Sequence, residues 1–225
     1  MGLSNYLPNS RLAQPGVCTS STRPASPYEG QVIYETDTDR TLVWNGTAWV
    51  DVSTGKAGKP GLVFIKEQAL SGTSTNVTSC FSSDFTDYLV IGDSLSWSGS
   101  GDIYFRLLVG TTAQTGTNYY WAYNGINQAG TAVSSAGATQ TLGYTGTSNS
   151  GANNLEFGLF SLIMSNPQKT KRTTCTCSAT SYVAAYYHYH GMVWYDNLTA
   201  CDGIQFLTNS ATTMGGTVRV YGYNQ

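Results

Sequence analysis

Charged side chains are scarce in this chain. Asp, Glu, Lys and Arg make up 11 % of its 225 residues, less than half of the roughly one quarter that is usual in soluble domains. The formal net charge is −2, and the densest basic cluster is the short run at 169–172. Because the neutralisation of phosphates requires a broad basic surface, we expect no nucleic-acid partner.

Long apolar runs are lacking as well. No segment approaches the roughly 18 apolar residues that cross a bilayer as a helix, so we expect no membrane partner. Residues 1–6 contain neither a basic region nor an apolar stretch, and this pattern does not indicate a secretory signal. We therefore expect synthesis in a reducing cytoplasm.

The five cysteines form no recognisable framework. Their number is odd and their spacing is irregular, so free thiols are expected rather than disulfides. Cys175 and Cys177 share one face of a strand and lack the CxxC spacing of a redox or zinc pair. The cysteines therefore predict no metal centre.

Glycine, hydroxyl-bearing residues and aromatics take the place of the missing charges. The chain has 25 Gly and 16 Tyr, and aromatic residues make up 12 % of it. Polar residues of the Thr, Ser, Asn and Gly type favour strands and turns over helices, so we predict an all-β protein. Polar faces without charge also indicate a subunit of an assembly, since a dispersed protein relies on charge repulsion.

Residues 1–30 are predicted to be an extended arm. Four of the six prolines fall in its first 27 residues, and proline fixes φ and removes a backbone donor, which excludes a helix or a central strand. Apolar side chains along this arm would become ordered on a partner's surface, and the alternative is a disordered arm. The candidate docking residues are Tyr6, Leu7, Leu12, Val17 and Tyr28.

Residues 31–52 are predicted to form a three-stranded β-meander. The pair Asn45-Gly46 between two apolar strands is the strongest short signal for a hairpin. A unit of this size buries too little surface to be stable alone, so it is expected to need a partner surface or copies of itself. The candidate interface residues are Tyr34, Trp44 and Trp49.

Residues 53–61 are predicted to be a linker, and residues 62–225 to be a second domain. The linker is rich in Gly and Lys and contains a proline. In the domain, roughly nine to eleven strand-like runs separated by turns fit a jelly-roll-like antiparallel β-sandwich. Segments 125–137 and 145–154 are predicted to be loops. The alternating segment 216–223 is predicted to be a strand paired inside a sheet.

Two stretches of the chain resemble proteins of tailed bacteriophages. Residues 23–50 contain RPASPYEGQVIYETDTDR and then VWNGTAWV, which resembles a short β-element repeated in phage tail fibres and other virion appendages. From residue 81 onwards the segments DYLVI, DIYFRLL, NYYWAY and GTVRVYG follow in this order. They resemble the C-terminal β-sandwich of phage minor structural proteins.

This resemblance implies a non-enzymatic structural component of the virion exterior, made in the host cytoplasm. The protein would be a fibre-like appendage or a capsid decoration protein. Its arm would dock on capsid, tail or fibre subunits, and a homotrimer would display the sandwich. No cofactor is expected.

The abundant aromatics leave a second hypothesis open, a receptor-binding module for host surface glycan. In alternating strands half of the aromatic side chains must face the core, and the others are available for a subunit interface or for sugar stacking. The candidates for either contact are Trp97, Tyr120, Trp121, Tyr187 and Tyr189.

No catalytic residue and no metal ligand is predicted. His188 and His190 share a strand face and could bind one metal only with a partner strand or symmetry mates, so we expect them to pack among tyrosines. Asp37 and Asp39 offer too few oxygens for a calcium site. The sequence shows no Gly-x-Ser-x-Gly elbow and no clustered acids of the glycosidase type.

Overall fold

The computed structural model describes residues 16–52, 61–149, 158–182 and 185–224. These residues form strands and turns, and there is no helix among them. In this part of the chain, accordingly, no helix has the length and apolarity to cross a membrane. The chain divides into two compact units, residues 1–59 and residues 60–225, which we call the small unit and the large unit.

Among the described residues, the small unit contains four strands and the large unit thirteen. Those of the small unit are β1 (Gly16–Cys18), β2 (Val32–Glu35), β3 (Arg40–Trp44) and β4 (Trp49–Asp51). Those of the large unit are β5 (Gly61–Leu70), β6 (Ser74–Val77), β7 (Asp87–Trp97), β8 (Gly101–Val109), β9 (Thr112–Ala113), β10 (Tyr119–Asn127), β11 (Ala132–Gln140), β12 (Gly143–Asn149), β13 (Gly158–Ser165), β14 (Thr173–Tyr182), β15 (Tyr186–Tyr195), β16 (Gly203–Thr208) and β17 (Met214–Asn224).

The small unit is one sheet with the strand order β1-β2-β3-β4. Strands β2, β3 and β4 are consecutive and antiparallel, and they lie within the range predicted for the meander. Asn45 and Gly46 form the turn between β3 and β4, and Gly46 has φ 91°, a value that suits glycine. Ile33 and Leu42 lie opposite each other on the buried face of this sheet.

The predicted boundary at residue 30 requires a correction. Strand β1 pairs in parallel with β2 at the edge of the small sheet, and Arg23 forms an ion pair with the buried Glu35. Residues 16–30 therefore fold against the meander and are not a separate arm. The physical reason is that β2 would otherwise leave its backbone groups unpaired along an open edge. The predicted docking residues Tyr6, Leu7 and Leu12 lie outside the described residues.

The large unit is a sandwich of two sheets. The broad sheet has the order β5-β17-β7-β13-β14-β15-β10-β11, and the narrow sheet has the order β12-β8-β16-β6, with β9 paired to β8. A single parallel pair, Asn149 with Tyr182, joins β12 of the narrow sheet to β14 of the broad sheet.

Eight of these strands have the connectivity of a jelly roll. Strands β5, β17, β7 and β13 are neighbours in the broad sheet, and β6, β16, β8 and β12 are neighbours in the narrow sheet. Strands from the beginning of the unit thus pair in both sheets with strands from its end, as two Greek keys require. The predicted all-β fold with a jelly-roll-like antiparallel sandwich is confirmed.

Two insertions widen the broad sheet. Strands β10 and β11 follow β8 in sequence, and β14 and β15 follow β13. All four strands extend the broad sheet beyond β13, which doubles its width from four strands to eight. Strands β11 and β12 occupy about half of each of the two segments that were predicted to be loops. The Gly and Ala residues of these strands have weak β-propensity, and the segments become strands because β10 and β8 supply pairing partners.

The core lies between the two sheets. Phe160 of the broad sheet and Phe206 of the narrow sheet are fully buried, and their ring centroids are 5.3 Å apart. The ring of Phe160 also lies over Gly92, where an added Cβ would come within 2.3 Å of a ring carbon. Strand β17 runs between β5 and β7, with Val218 and Val220 fully buried, as the alternation of segment 216–223 predicted.

Candidate interaction surface

Five neighbouring strands of the broad sheet, β13, β14, β15, β10 and β11, contain no Asp, Glu, Lys or Arg. Because side chains alternate along a strand, every second residue of these strands faces away from the core. We call the outward-facing side chains of these five strands the uncharged face. An ordinary soluble surface is about 25–35 % charged, so this face differs from a solvated surface in composition.

Exposed apolar side chains are concentrated on the outer side of the broad sheet. Among the described residues of the large unit, eight of the eleven exposed large hydrophobic side chains point outward from it. Two of the eight, Leu62 and Phe64, belong to the edge strand β5. The six on the uncharged face are Ile126, Leu159, Ile163, Tyr186, Met192 and Trp194. Such a concentration of exposed apolar side chains marks a contact surface.

Short hydroxyl side chains lie between the apolar ones. Ile163 lies opposite Thr176, and Thr176 lies opposite Met192. The outward residues of β14 are Thr174, Thr176, Ser178 and Thr180. Because no charge would have to be desolvated, covering this face costs much less than covering an ordinary protein surface.

One end of the uncharged face carries an aromatic corner. Tyr120 of β10 lies opposite Trp194 of β15, and these two residues line a groove of about 370 Å³ together with Arg172 and Asp196. Arg172 donates a hydrogen bond to the Asp196 carboxylate, which raises the pKa of the guanidinium. We call these four residues the aromatic corner.

Sequence reasoning found Tyr120 of this corner and missed the other three residues as a group. The signal that points to Trp194 is the alternation of strand β15. Val193 and Tyr195 are buried, and Trp194 between them is exposed. Arg172 and Asp196 lie close together because they flank the paired ends of β14 and β15, where Thr173 pairs with Tyr195.

Three predicted contact residues are instead part of the interior. Trp97 is 3 % exposed and belongs to the core, and Trp121 packs against the core. Tyr189 is buried, and this burial raises its pKa to about 12. The prediction of a surface role was wrong for these three, because the alternation of their strands directs each side chain between the sheets.

Tyr187 is half-buried and belongs to the same inner side of β15. Its ring stacks on that of Tyr189, with the centroids 5.6 Å apart and the planes 8° from parallel. Of the five aromatic residues predicted for a glycan or subunit contact, Tyr120 alone lies on the uncharged face.

The predicted interface residues of the small unit lie on two different faces. Trp44 and Trp49 form an edge contact with their centroids 5.5 Å apart, on the face that also carries Leu42. Tyr34 is on the opposite face, where its hydroxyl donates to Asp39. The two predicted docking residues that the structure describes, Val17 and Tyr28, are each 71 % exposed.

The acidic turn of the small unit is held by hydrogen bonds. Asp37 accepts hydrogen bonds from the hydroxyl and the backbone N–H of Ser20, and both bonds lower the pKa of its carboxyl group. Asp39 accepts from Tyr34. Over the described ranges, no three His, Cys, Asp or Glu side chains come together as a possible metal-binding group.

The two histidines do not pack among tyrosines, contrary to the prediction. His188 and His190 are exposed on the uncharged face, while the tyrosine between them points inward. Their ring centroids are 4.8 Å apart. The reason is again the alternation of β15, which separates the tyrosine side from the histidine side.

Comparison with known proteins places the chain in no family. No protein-family model matches it, and no curated protein does. A solved structure, that of infectious bursal disease virus Gt strain, is similar at 13 % identity with a TM-score of 0.11. The match covers 86 % of this chain and 47 % of the viral chain, so the chain spans about half the length of that protein. At this TM-score the similarity carries no structural or functional argument.

Proposed function

We propose that this chain is a non-enzymatic structural subunit of the exterior of a bacteriophage virion. It serves there as a fibre-like appendage or as a capsid decoration protein. Its partners are capsid, tail or fibre subunits and further copies of itself in a homotrimer. The observation that carries the proposal is the uncharged face, and the assignment to a phage rests on the sequence resemblance of residues 23–50 and 81–225.

The uncharged face supports a role in assembly because the described residues of the large unit leave it uncovered. Leu159 and Ile163 are each 45 % exposed and Trp194 is 38 % exposed. Covering apolar surface yields about 25 cal/mol per Å², and the hydroxyls beside these residues can form hydrogen bonds across an interface. A rotationally symmetric assembly uses the same surface in every copy.

The proposed trimer is tested by sedimentation equilibrium of the purified full chain. The expected mass is three times the 24.1 kDa of one chain. A species that remains monomeric at every soluble concentration contradicts the homotrimer. A stable dimer also contradicts the homotrimer, but it remains consistent with self-association through the uncharged face.

Docking on the particle is tested by two variants of the small unit and the segment before it. One lacks residues 1–15 and keeps strand β1, and the other carries Val17→Ser and Tyr28→Ser. Both should reduce the number of copies per particle, measured by quantitative mass spectrometry of purified virions. A variant with Val109→Ser in the large unit is the matched control, since Val109 is also an exposed apolar residue. Full occupancy with both docking variants contradicts docking through this part of the chain.

The aromatic corner favours a second candidate function, binding of host surface glycan. An exposed indole offers an apolar face to sugar C–H groups, while a guanidinium and a carboxylate hydrogen-bond to sugar hydroxyls. A glycan array probed with the full chain tests this function. Saturable binding that is lost on Trp194→Ala and kept on Tyr186→Ala supports it, and an array without binding contradicts it.

A further inference from the structure

We propose that His188 and His190 bind one divalent transition-metal ion on the uncharged face. The two rings belong to residues i and i+2 of strand β15, which project from the same side of the sheet. Both side chains are exposed to solvent. The metal site goes beyond the role in virion assembly, but it lies on the same face, so a homotrimer formed through that face would include the site in its interface.

The spacing of the two rings fits a shared ion. Two imidazoles that each donate one nitrogen to a tetrahedral zinc, at about 2.0–2.1 Å per bond, have ring centroids roughly 5 Å apart. The observed separation of the centroids is 4.8 Å. This separation is compatible with one nitrogen of each ring binding the same ion.

The residues around the two histidines are uncharged and leave space for a metal ion. Asn124 lies opposite His190 on β10, and Ser178 lies opposite the same histidine on β14. A groove of about 440 Å³ is lined by both histidines, Asn124, Ile126 and neighbouring residues of β10 and β11. These strands carry no Lys or Arg that would repel a cation.

The chemistry of these ligands defines the class of ion. Imidazole nitrogen suits Zn²⁺, Ni²⁺ and Cu²⁺, whereas Mg²⁺ and Ca²⁺ prefer carboxylate and carbonyl oxygens. The five strands of the uncharged face contain no carboxylate. With two protein nitrogens, the remaining coordination positions of the ion are open to water or to another ligand.

Cysteine thiols compete little with this site. Cys80, Cys175, Cys177 and Cys201 are buried, and burial raises the pKa of the Cys177 thiol to about 11 and that of Cys80 to about 12. Thiols bind metal as thiolates, so these four are poor ligands in the folded protein. Cys18 is half-buried, and the experiment removes it by Cys18→Ser.

The experiment uses the full chain without an affinity tag and with Cys18→Ser, titrated by calorimetry with Zn²⁺ and Ni²⁺ at neutral pH. We expect saturable binding that His188→Ala and His190→Ala each weaken at least about tenfold. Val109→Ala, at an exposed apolar residue of the narrow sheet, should leave the affinity unchanged. Mg²⁺ should not bind. Thermal unfolding without metal checks that each variant is folded.

Absence of saturable binding would overturn the proposal. So would an affinity for Zn²⁺ and Ni²⁺ that both histidine variants retain, or an equal loss in the Val109→Ala control. X-ray absorption at the metal edge provides a second readout. It should show imidazole scattering with metal–nitrogen distances of about 2.0–2.1 Å, and a shell of oxygen or sulfur alone contradicts the site.

Discussion

At the scale of single residues, Gly92 shows how closely the core constrains the sequence. The ring of Phe160 occupies the space where a side chain would be, with a ring carbon 2.3 Å from the position of an added Cβ. Phe160 is itself held against Phe206 of the opposite sheet. Glycine at this position therefore allows the two sheets to pack at their observed distance.

We predict that Gly92→Ala lowers the free energy of unfolding by about 1–3 kcal/mol, because the methyl group forces the Phe160 ring out of its place. Urea unfolding followed by circular dichroism measures the change. Gly99→Ala is the matched control, since the nearest atom to its added Cβ is 3.4 Å away and no clash is expected. Equal effects of the two substitutions would show that the ring over Gly92 is not the cause.

The thiols give a second prediction at this scale. Four of the five cysteines are buried, and burial raises the pKa of Cys201 to about 12. We expect an aromatic disulfide reagent at about pH 8 to react rapidly with at most one thiol of the native protein, Cys18. All five should react in denaturant, and the Cys18→Ser variant should show no rapid reaction. Rapid modification of two or more native thiols contradicts the buried placement.

The buried carboxyl group of Glu35 gives a pH dependence. Its hydrogen bond with Arg23 lowers the pKa of Glu35 below the usual value of 4.5. A lowered folded-state pKa stabilises the small unit at pH values above the unfolded-state pKa, and this contribution is lost as the pH falls through the folded-state pKa.

We therefore expect protection of the β2 and β3 amides from hydrogen exchange to weaken below about pH 4.5, after correction for the intrinsic exchange rate. Glu35→Gln should reduce protection at neutral pH and flatten this dependence. Asp37, whose pKa is also lowered, contributes in the same direction, so Asp37→Asn serves as the comparison. An unchanged pH dependence in Glu35→Gln would contradict the role of the Arg23–Glu35 pair.

At the scale of elements, the sequence predicts strands best where local signals and tertiary pairing agree. The alternation around Val218 and Val220 and the Asn45-Gly46 turn both have a local physical cause, and both are found in the structure. Strand β11 has no such signal, because its small and hydroxyl residues adopt a strand only when β10 lies beside them. Long-range pairing of this kind is not visible in a window of sequence.

The candidate site was predicted incompletely for a related reason. Residues 186–190 have the sequence YYHYH. Composition alone does not decide whether Tyr187 and Tyr189 or the two histidines face the core. Pairing of β15 with β10 and β14 decides it, and it places Tyr187 and Tyr189 inside and the histidines outside. The scarcity of charged residues is visible in the sequence. Only the strand order shows that the five strands without charge are neighbours.

The turn between β3 and β4 provides a prediction at the same scale. The Asn45 side-chain oxygen accepts backbone hydrogen bonds from Thr47 at 3.0 Å and from Ala48 at 2.8 Å. Asn45→Ala removes both bonds and should destabilise the small unit by about 1 kcal/mol. Faster hydrogen exchange of the β3 and β4 amides measures this loss, while the amides of β16 in the large unit should be unaffected. Equal changes in both units would contradict a local effect.

At the scale of the whole molecule, the sandwich has two surfaces of different character. The ion pairs of Arg219 with Glu67 and Asp93 lie on strands β17, β5 and β7, on the same outer side as the uncharged face but at the other end of the strand order. The four insertion strands and β13 thus form a surface without charge beside β5, β17 and β7, the jelly-roll strands of the same sheet that carry charges. Under the proposed function, the insertions supply most of the surface through which the copies associate.

This proposal predicts that a single charge on the uncharged face disrupts self-association. Ile163→Lys introduces an ammonium group on the uncharged face that the interface would have to desolvate, and it should weaken association at least about tenfold, equivalent to about 1.4 kcal/mol. Val109→Lys is the matched control, because Val109 is 41 % exposed and Ile163 is 45 % exposed, and Val109 belongs to the narrow sheet. Sedimentation velocity over a range of concentrations measures the self-association of both variants. Dissociation by Val109→Lys with Ile163→Lys still assembled would place the interface on the narrow sheet and exclude the uncharged face.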